Sequence, residues 1–269
     1  MELDTPLKNV LFWNCKGNDG SQTFCDALVQ IINTHNIEIV GISECLDDKK
    51  AFVKRIRTNI KNFYCVGESC KLQPVGYIRL FSTLPRKTLK ITKKKERFIN
   101  ARYQDKFDLC FVHLKSLVNA SVAEKLVEDK LVYDDIYHDK RQKFVVGDFN
   151  DAPYSDTLVS SLLFNTYRDD ELKFSIKRHK GDNIRINPCW EMMGDSSHIY
   201  GTLCNSVYMH NNIIKLVDQV IFDSQLKRYY YDGSFKILDT AGTLPLTNVK
   251  GIDTTYSDHL PIYFSLQGV

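Results

Sequence analysis

Six apolar runs of this chain end, or begin, in a side chain that carries an amide, a carboxylate or an imidazole. Val10-Leu11-Phe12-Trp13 runs out in Asn14, and IEIVGIS (37–43) in Glu44. FDLCFVHL (107–114) holds His113 near its end, and KFVVGDFN (143–150) closes on Asp148 and Asn150. IIKLVDQVIF (213–222) has Asp218 at its centre, and the last apolar run is approached through Ser257-Asp258-His259. One such residue only marks a strand leaving the core. Six segments, with no Lys or Arg among these positions, describe side chains converging on one rim of a sheet. Glu, Asp and Asn are hard oxygen donors that suit Mg²⁺ or Mn²⁺ better than zinc. Two histidines with further carboxylates supply an acid, a base and an orienting partner. Together these types make a site for chemistry at phosphoryl oxygen, where a metal neutralises phosphate charge and stabilises a leaving oxygen.

The elements that must hold these residues follow from apolar spacing. Val10–Trp13 is a first strand. Ser21–His35 is a helix, with Phe24, Leu28, Ile31 and Ile32 on one face. Ile37–Ser43 is a buried strand, and Leu46–Lys61 a basic amphipathic helix with Phe52, Val53, Ile56 and Ile60 on its apolar side. Short strands with turn signals follow (FYCVG, GYIRLFS, KTLKIT, RFINARY), then FDLCFVHL. Ser121-Val122-Ala123-Glu124 is a capping box that opens a helix to about Tyr137. After KFVVGDF comes a helix over Asp156–Leu163, and then an irregular part, 166–211. Within it NPCWEMMGD (187–195) reads as a loop with an aromatic anchor. Strand character returns at 213–223 and 254–266. Strands and helices alternate early and strands dominate late, which predicts one α/β domain over residues 1–269 with mixed sheets.

Composition sets the frame. The 269 residues are 43% hydrophobic and 26% charged, as in ordinary globular proteins. No stretch approaches the ~20 apolar residues that span a bilayer, and the opening MELDTPLKNVLFWN has no basic segment leading into an apolar one. The eight cysteines form no Cys-x-x-Cys pair. They read as reduced thiols of a cytoplasmic protein, without zinc-ligand spacing. The net charge of +3 neither demands nor excludes a polyanionic partner. Its distribution is uneven: PRKTLKITKKKERF (85–98) sets seven basic residues against Glu96 alone.

The ordered set WN, SE, HL, GDFN, a strand Asp and SDHLPI resembles the endonuclease/exonuclease/phosphatase superfamily, the deoxyribonuclease I-like fold. The resemblance runs from Val10 to about Phe264. It implies a four-layer α/β sandwich, two packed mixed sheets flanked by helices, with the site at one edge. Carried over position by position, Glu44 would be the main metal ligand, assisted by Asn14 and Asp258. Asp148 and Asn150 would hold the attacking water and phosphate oxygens. His259 would contact the scissile phosphate with Asp218 orienting it, and His113 would stabilise the pentacovalent phosphate or protonate the leaving group. The general base stays open between Asp148 and His259. Ser43 stands where many members have Gln. Lys16 stands where abasic-site endonucleases often carry an acid, and HL replaces their tyrosine motif. Both changes point towards the deoxyribonuclease or sphingomyelinase-like branches.

The resemblance therefore implies a Mg²⁺-dependent phosphodiesterase, with Mn²⁺ as substitute, acting as a nuclease on DNA or RNA without stable membrane association. One alternative is a phospholipid or inositol-phosphate phosphoesterase, which would need an apolar membrane-binding loop. Another is an inactive nucleic-acid-binding relative, which would lack a catalytic residue. Trp190 reads as a core anchor against a base-stacking residue. The run at 85–98 reads equally as a solvated hairpin or a phosphate-binding edge. His35, His138, His179, His198 and His210 carry no motif.

Overall fold

Residues 7–46, 48–168, 184–193, 201–204, 214–249 and 251–269 are described in the computed structural model. Along the chain the first elements are β1 (Lys8–Asn14), α1 (Gln22–Thr34), β2 (Ile37–Cys45), α2 (Lys49–Arg57), β3 (Tyr64–Glu68) and β4 (Tyr77–Ser82). Then come β5 (Leu89–Lys94), β6 (Phe98–Tyr103), β7 (Phe107–His113), α3 (Val122–Tyr137), β8 (Lys143–Asp148) and α4 (Asp156–Val159). Short pieces follow: β9 (Thr166–Tyr167), β10 (Arg185–Ile186), β11 (Leu203–Cys204) and β12 (Ile214–Lys215). Next are β13 (Asp218–Asp223), β14 (Lys236–Ile237), β15 (Thr240–Ala241), β16 (Leu244–Pro245), β17 (Thr247–Asn248), β18 (Gly251–Ile252) and β19 (Ile262–Leu266). Among the described residues no helix is long and apolar enough to cross a membrane.

Two mixed sheets carry the fold. The order is β14-β19-β1-β2-β4-β3 in one and β5-β6-β7-β8-β13-β10-β9 in the other. Both faces of each sheet are covered, so the central strands are apolar on both sides. Along β1, Val10 and Phe12 enter the core between the sheets, while Leu11 and Trp13 face α1 and α2. Along β7, Leu109 and Phe111 point inward, while Cys110 and Val112 meet Val132 and Ile136 of α3. The period of two thus sorts each strand between a shared inner layer and one outer helical layer. The result is the expected four-layer α/β sandwich. Each fully buried Phe of the inner layer contributes about 1.5–3 kcal/mol of transfer free energy.

The helices start where the sequence supplies a cap. Ser21 Oγ accepts from Phe24 N at 3.1 Å. Ser121 and Glu124 complete the capping box reciprocally at 3.2 and 2.8 Å. Several boundaries differ from the sequence reading. Helix α2 begins only after its Asp48 cap and ends at Arg57. The helix expected over Asp156–Leu163 is a single turn, Asp156–Val159, because Ser160 is extended. The run at 213–223 breaks after Lys215, so Asp218 opens β13 instead of sitting at a strand centre. Likewise only Ile262–Leu266 of 254–266 is strand. The NPCWEM stretch is a 3₁₀ helix, Pro188–Met192, with Cys189 in the inner core. Trp190 is half-buried against Tyr154, with ring centroids 6.4 Å apart, and so is not the core anchor expected. His179, His198 and His210 lie outside the described residues.

Two glycines fix how closely the layers approach. A Cβ on Gly41 of β2 would meet the Phe111 ring at 2.2 Å, so Gly41 is where the sheets press together. Gly147 of the GDFN motif has φ +151°, and a Cβ there would lie 2.0 Å from the Val112 carbonyl oxygen. Strand β8 therefore rests on the backbone of β7 one residue before Asp148. Gly147→Ala is expected to destabilise the fold by about 2–3 kcal/mol, typical of overpacking. That corresponds to a fall in Tm of roughly 5–10 °C for a chain of this size. Thermal melting checks it, and an unchanged Tm would mean the two strands part without penalty.

Candidate active site

The site is a consequence of register. Strands β7 and β8 are parallel, with His113 opposite Asp148, and β8 and β13 are antiparallel, with Asp148 opposite Asp218. Three functional side chains thus stand in a row on one rim. In the other sheet β1 and β2 are parallel, with Asn14 opposite Ser43 and Glu44 next in line. The antiparallel β1–β19 pair brings the approach to β19, and so Asp258 and His259, beside the end of β1. Trp13 Nε1 donates to the His259 carbonyl at 2.8 Å, and Ser257 Oγ donates to the Asn14 carbonyl at 2.6 Å.

Asn14 joins the two sheets. Its buried Nδ2 donates to Glu44 Oε1 at 2.9 Å and to Asp148 Oδ2 at 3.1 Å. Its Oδ1 accepts from Lys16 N at 3.1 Å. As oriented, the amide nitrogen positions two carboxylates, while the oxygen, the ligand atom that the resemblance implied, accepts from the Lys16 backbone. Asp148 Oδ1 also accepts from Asn150 N at 2.8 Å, and Asn150 Nδ2 donates to the Leu114 carbonyl at 3.1 Å. His113 Nε2 lies 3.5 Å from Glu44 Oε1 and 3.6 Å from Asp148 Oδ2. His259 Nδ1 is 2.7 Å from Asp218 Oδ2, and its Nε2 is 3.9 Å from Asp148 Oδ2.

The charges follow from burial and neighbours. Burial, with the nearby charges of Arg97 and His259, drives His113 down to about 3, so its ring is neutral near pH 7. Burial alone would also favour neutral His259, but the carboxylates of Asp218, Asp148 and Asp258 outweigh it and hold the imidazolium. Asp148 is raised by burial and by Asp218. Glu44 is raised by burial and, after the Asn14 hydrogen bond and His259 oppose this, by Asp258. Carboxylates that repel one another within one cleft fit a cation. Ligand atoms of Glu44, His113 and Asp148 lie within 4.8 Å of one another, as do those of Asp148, Asp218 and His259. Asp258 belongs to neither group: it lines the same cleft but is paired with Lys16.

These residues open onto a cleft of about 500 Å³, walled also by Gln73, Arg97, Lys115, Val118 and Leu203. Residues without a sequence signal hold the site in place. Lys125, buried in α3, reaches Asp129 at 2.7 Å, Asp151 at 3.1 Å and the Phe149 carbonyl at 3.2 Å, clamping the turn after Asp148. Asp151, the last acid of GDFND, is therefore structural. Thr202 Oγ1 accepts from Asp218 N at 3.0 Å while its carbonyl accepts from Leu260 N at 2.7 Å, tying the Asp218 and His259 segments together. Asp19 accepts from Leu46 N at 3.1 Å and pairs with buried Arg79, bracing the turn after Glu44. Neither Lys125 nor Asp19 has a motif.

No family model and no curated protein sequence matches the chain. Solved structures do. An endonuclease/exonuclease/phosphatase from Bacteroides vulgatus matches with TM-score 0.58 at 14% identity, covering 98% of this chain and 99% of that one. The fold is that of the endonuclease/exonuclease/phosphatase superfamily. The 3′ phosphatase NExo from Neisseria, bound to a product DNA hairpin, aligns with TM-score 0.60 at 12% identity over 97% of this chain and 99% of its own. D. rerio TDP2, complexed with a single-stranded DNA product, gives 0.57 at 14% over 98% and 100%. Identities this low carry the fold alone. The endonuclease/exonuclease/phosphatase fold accounts for the two sheets and for a rim where both deliver strand ends.

Glu44 has φ +57°, the left-handed region that costs a non-glycine residue about 1–2 kcal/mol. It interrupts the β2–β4 register between Ile42 and Cys45. A strained, mutually repelled carboxylate at a rim is kept for something other than stability. Glu44→Asn, whose short amide tolerates this backbone, is expected to raise metal-free stability by about 1 kcal/mol. The same variant should lose the rise in Tm that Mg²⁺ or Mn²⁺ gives the unaltered chain through ligand linkage. Melting with and without metal measures both, and an equal metal-induced rise in the two proteins would remove Glu44 from the ligand set.

Proposed function

We propose that the chain is a divalent-metal-dependent phosphodiesterase that cuts nucleic acid. The reading rests on one observation: Glu44, His113, Asp148 and His259, the last backed by Asp218, face one cleft from both sheets. Glu44, with Asp258 beside it, would hold a hard divalent cation such as Mg²⁺, which neutralises phosphate charge and the leaving oxygen when bound. Asp148, fixed by Asn14 and Asn150 and raised towards neutral pH, takes the proton of the attacking water. His259, kept charged by Asp218, gives a phosphate oxygen a fixed positive partner. His113, kept neutral by burial, offers a ring N–H to another phosphoryl oxygen or to the leaving oxygen. Asn150 positions the phosphate or the water. Both DNA-bound neighbours of the same fold support a nucleic-acid substrate.

One observation favours a second substrate. Val118 lines the cleft and is 79% exposed, with Leu117 at 45% and Val122 at 61% nearby. Such a lip fits a phospholipid phosphoesterase of the same chemistry, so a lipid panel belongs beside the DNA and RNA substrates.

Chelation by EDTA is expected to abolish hydrolysis, and Mg²⁺ or Mn²⁺ to restore it. Full turnover in EDTA would rule the cation out. Asp148→Asn and His259→Ala should each lose about 10²–10⁴-fold in rate while remaining folded. Asp218→Asn separates the two candidate bases. Its loss lowers the pKa of His259, which is charged below its folded pKa. If His259 acts as imidazolium, activity is then lost from the alkaline side and that limb of the pH–rate profile moves to lower pH. If His259 were the base, the alkaline limb would stay in place; the acid limb moves down in either case, because Asp218 raises Asp148 as well, so the alkaline limb decides.

A further inference from the structure

The basic face of α2 takes no part in the catalytic cleft. Lys50, Lys54 and Arg57 are exposed along one side of the helix. Across from them stand Tyr64 of β3 and Arg86, whose guanidinium lies 4.4 Å from the Tyr64 ring centroid. Together with Lys49 they wall a groove of about 640 Å³. Its one acidic neighbour among the described ion pairs is Glu68, 2.9 Å from Lys49. Several cations elsewhere are answered: Lys93 by Asp135 at 2.8 Å, Arg97 and Lys115 by Glu128 at 2.7 and 3.0 Å, and Lys143 by Asp139 at 2.6 Å. In a chain of net charge +3, this groove concentrates positive charge of a single sign.

We propose that this groove is a second binding site for a phosphodiester backbone, holding nucleic acid that extends beyond the catalytic cleft. The proposal rests on the nucleic-acid reading of the cleft for its choice of polyanion. Three features carry it. First, Lys50 to Arg57 spans about 10 Å at 1.5 Å per residue, about three phosphates of one strand at 3.4 Å each. Second, the groove is concave and, besides half-buried Val53, Tyr64 and Cys65, is lined by Lys, Arg and Thr side chains. A membrane-seeking face would display aliphatic side chains; the exposed ones of the chain include Leu117, Val118, Val122, Val127 and Leu131, in and before α3 on the other outer layer. Third, two chain segments link the groove to the cleft: Glu44 of the cleft precedes Lys49 of the groove wall by five residues, and a second segment runs from β3. Strand β3 leaves Tyr64 for Glu68, and the loop beyond delivers Gln73 and Val75 to the cleft wall.

The test compares the full chain with the triple variant Lys50→Gln, Lys54→Gln, Arg57→Gln, matched for melting temperature. Binding of a 20-nucleotide single strand is measured in EDTA at several salt concentrations. Hydrolysis of bis(p-nitrophenyl) phosphate, too small to reach the groove, is measured with Mn²⁺. The variant is expected to bind the oligonucleotide about ten- to a hundredfold more weakly near 0.15 M salt. Its slope of log affinity against log salt should be shallower by about 2, at 0.7–0.9 per lost contact. Hydrolysis of the small ester should not change. An unaltered affinity and salt slope would overturn the proposal. So would loss of binding to phosphatidylserine vesicles with oligonucleotide binding intact, which would assign the groove to a membrane. Oligonucleotide binding that depends on these three residues, in a chain that hydrolyses no phosphodiester, would support the groove and overturn the cleft reading alone.

Discussion

One buried amide joins the two halves of this molecule at the place where chemistry is expected. Asn14 Nδ2 has two hydrogens and gives one to a carboxylate of each sheet, Glu44 at 2.9 Å and Asp148 at 3.1 Å. Its oxygen is committed to the backbone of Lys16, so the amide has one satisfied orientation. Turned over, it would set its oxygen against two carboxylates. Both sheets must therefore end at the same height for the amide to be satisfied. That condition couples the packing of the inner core to the geometry of the cleft. The close approaches at Gly41 and Gly147 serve the same condition from the backbone side.

The cleft is acidic, and the protein manages that in layers. Asp218 lies behind His259 and keeps it charged, so a buried carboxylate is turned into a positive group facing the cleft. Lys125 sits beneath the turn after Asp148 and satisfies Asp129, Asp151 and a backbone carbonyl at once. Removing one partner from such a buried set typically costs 3–5 kcal/mol. What remains least compensated is half-buried Glu44, held beside buried Asp148 by Asn14 and repelled by Asp258, which is itself paired with Lys16. That residual negative charge is the physical argument for a cation, independent of any likeness to other proteins.

Positive charge is distributed by the same logic of pairing. The run at 85–98, the densest in the sequence, largely forms the edge strand β5 and the turn into β6. Lys93 and Lys95 turn to Asp135 of α3, and Arg97 to Glu128. Alternating lysines on an edge strand also discourage pairing with another sheet. Of this run only Arg97 lines the cleft. The helix after Glu44 carries fewer cations, but Lys50, Lys54 and Arg57 line the groove in no described ion pair, whereas Lys93, Lys95 and Arg97 of the denser run are paired.

The ordered motifs were legible because chemistry constrains residue type at strand ends: Asn14, Glu44, His113, Asp148, Asp218 and His259 each sit beside an apolar run long enough to be read as strand. The sandwich was legible for a related reason, since two-sided burial makes the central strands apolar throughout. Three things were not. The true start of β13 at Asp218 depends on pairing with Asp148, which no local pattern encodes. The roles of Lys125, Asp19 and Thr202 arise from contacts between segments far apart in the chain, and an isolated Lys or Thr looks like any surface residue. The protonation of the two histidines was open because it depends on burial and on which carboxylate lies within 3 Å. The amino-acid sequence by itself determined which groups stand at the ends of which strands. Only the tertiary structure decided their register, their charge and which cations are free to meet a polyanion, because each of those is set by distances between strands and helices that the chain brings together only on folding.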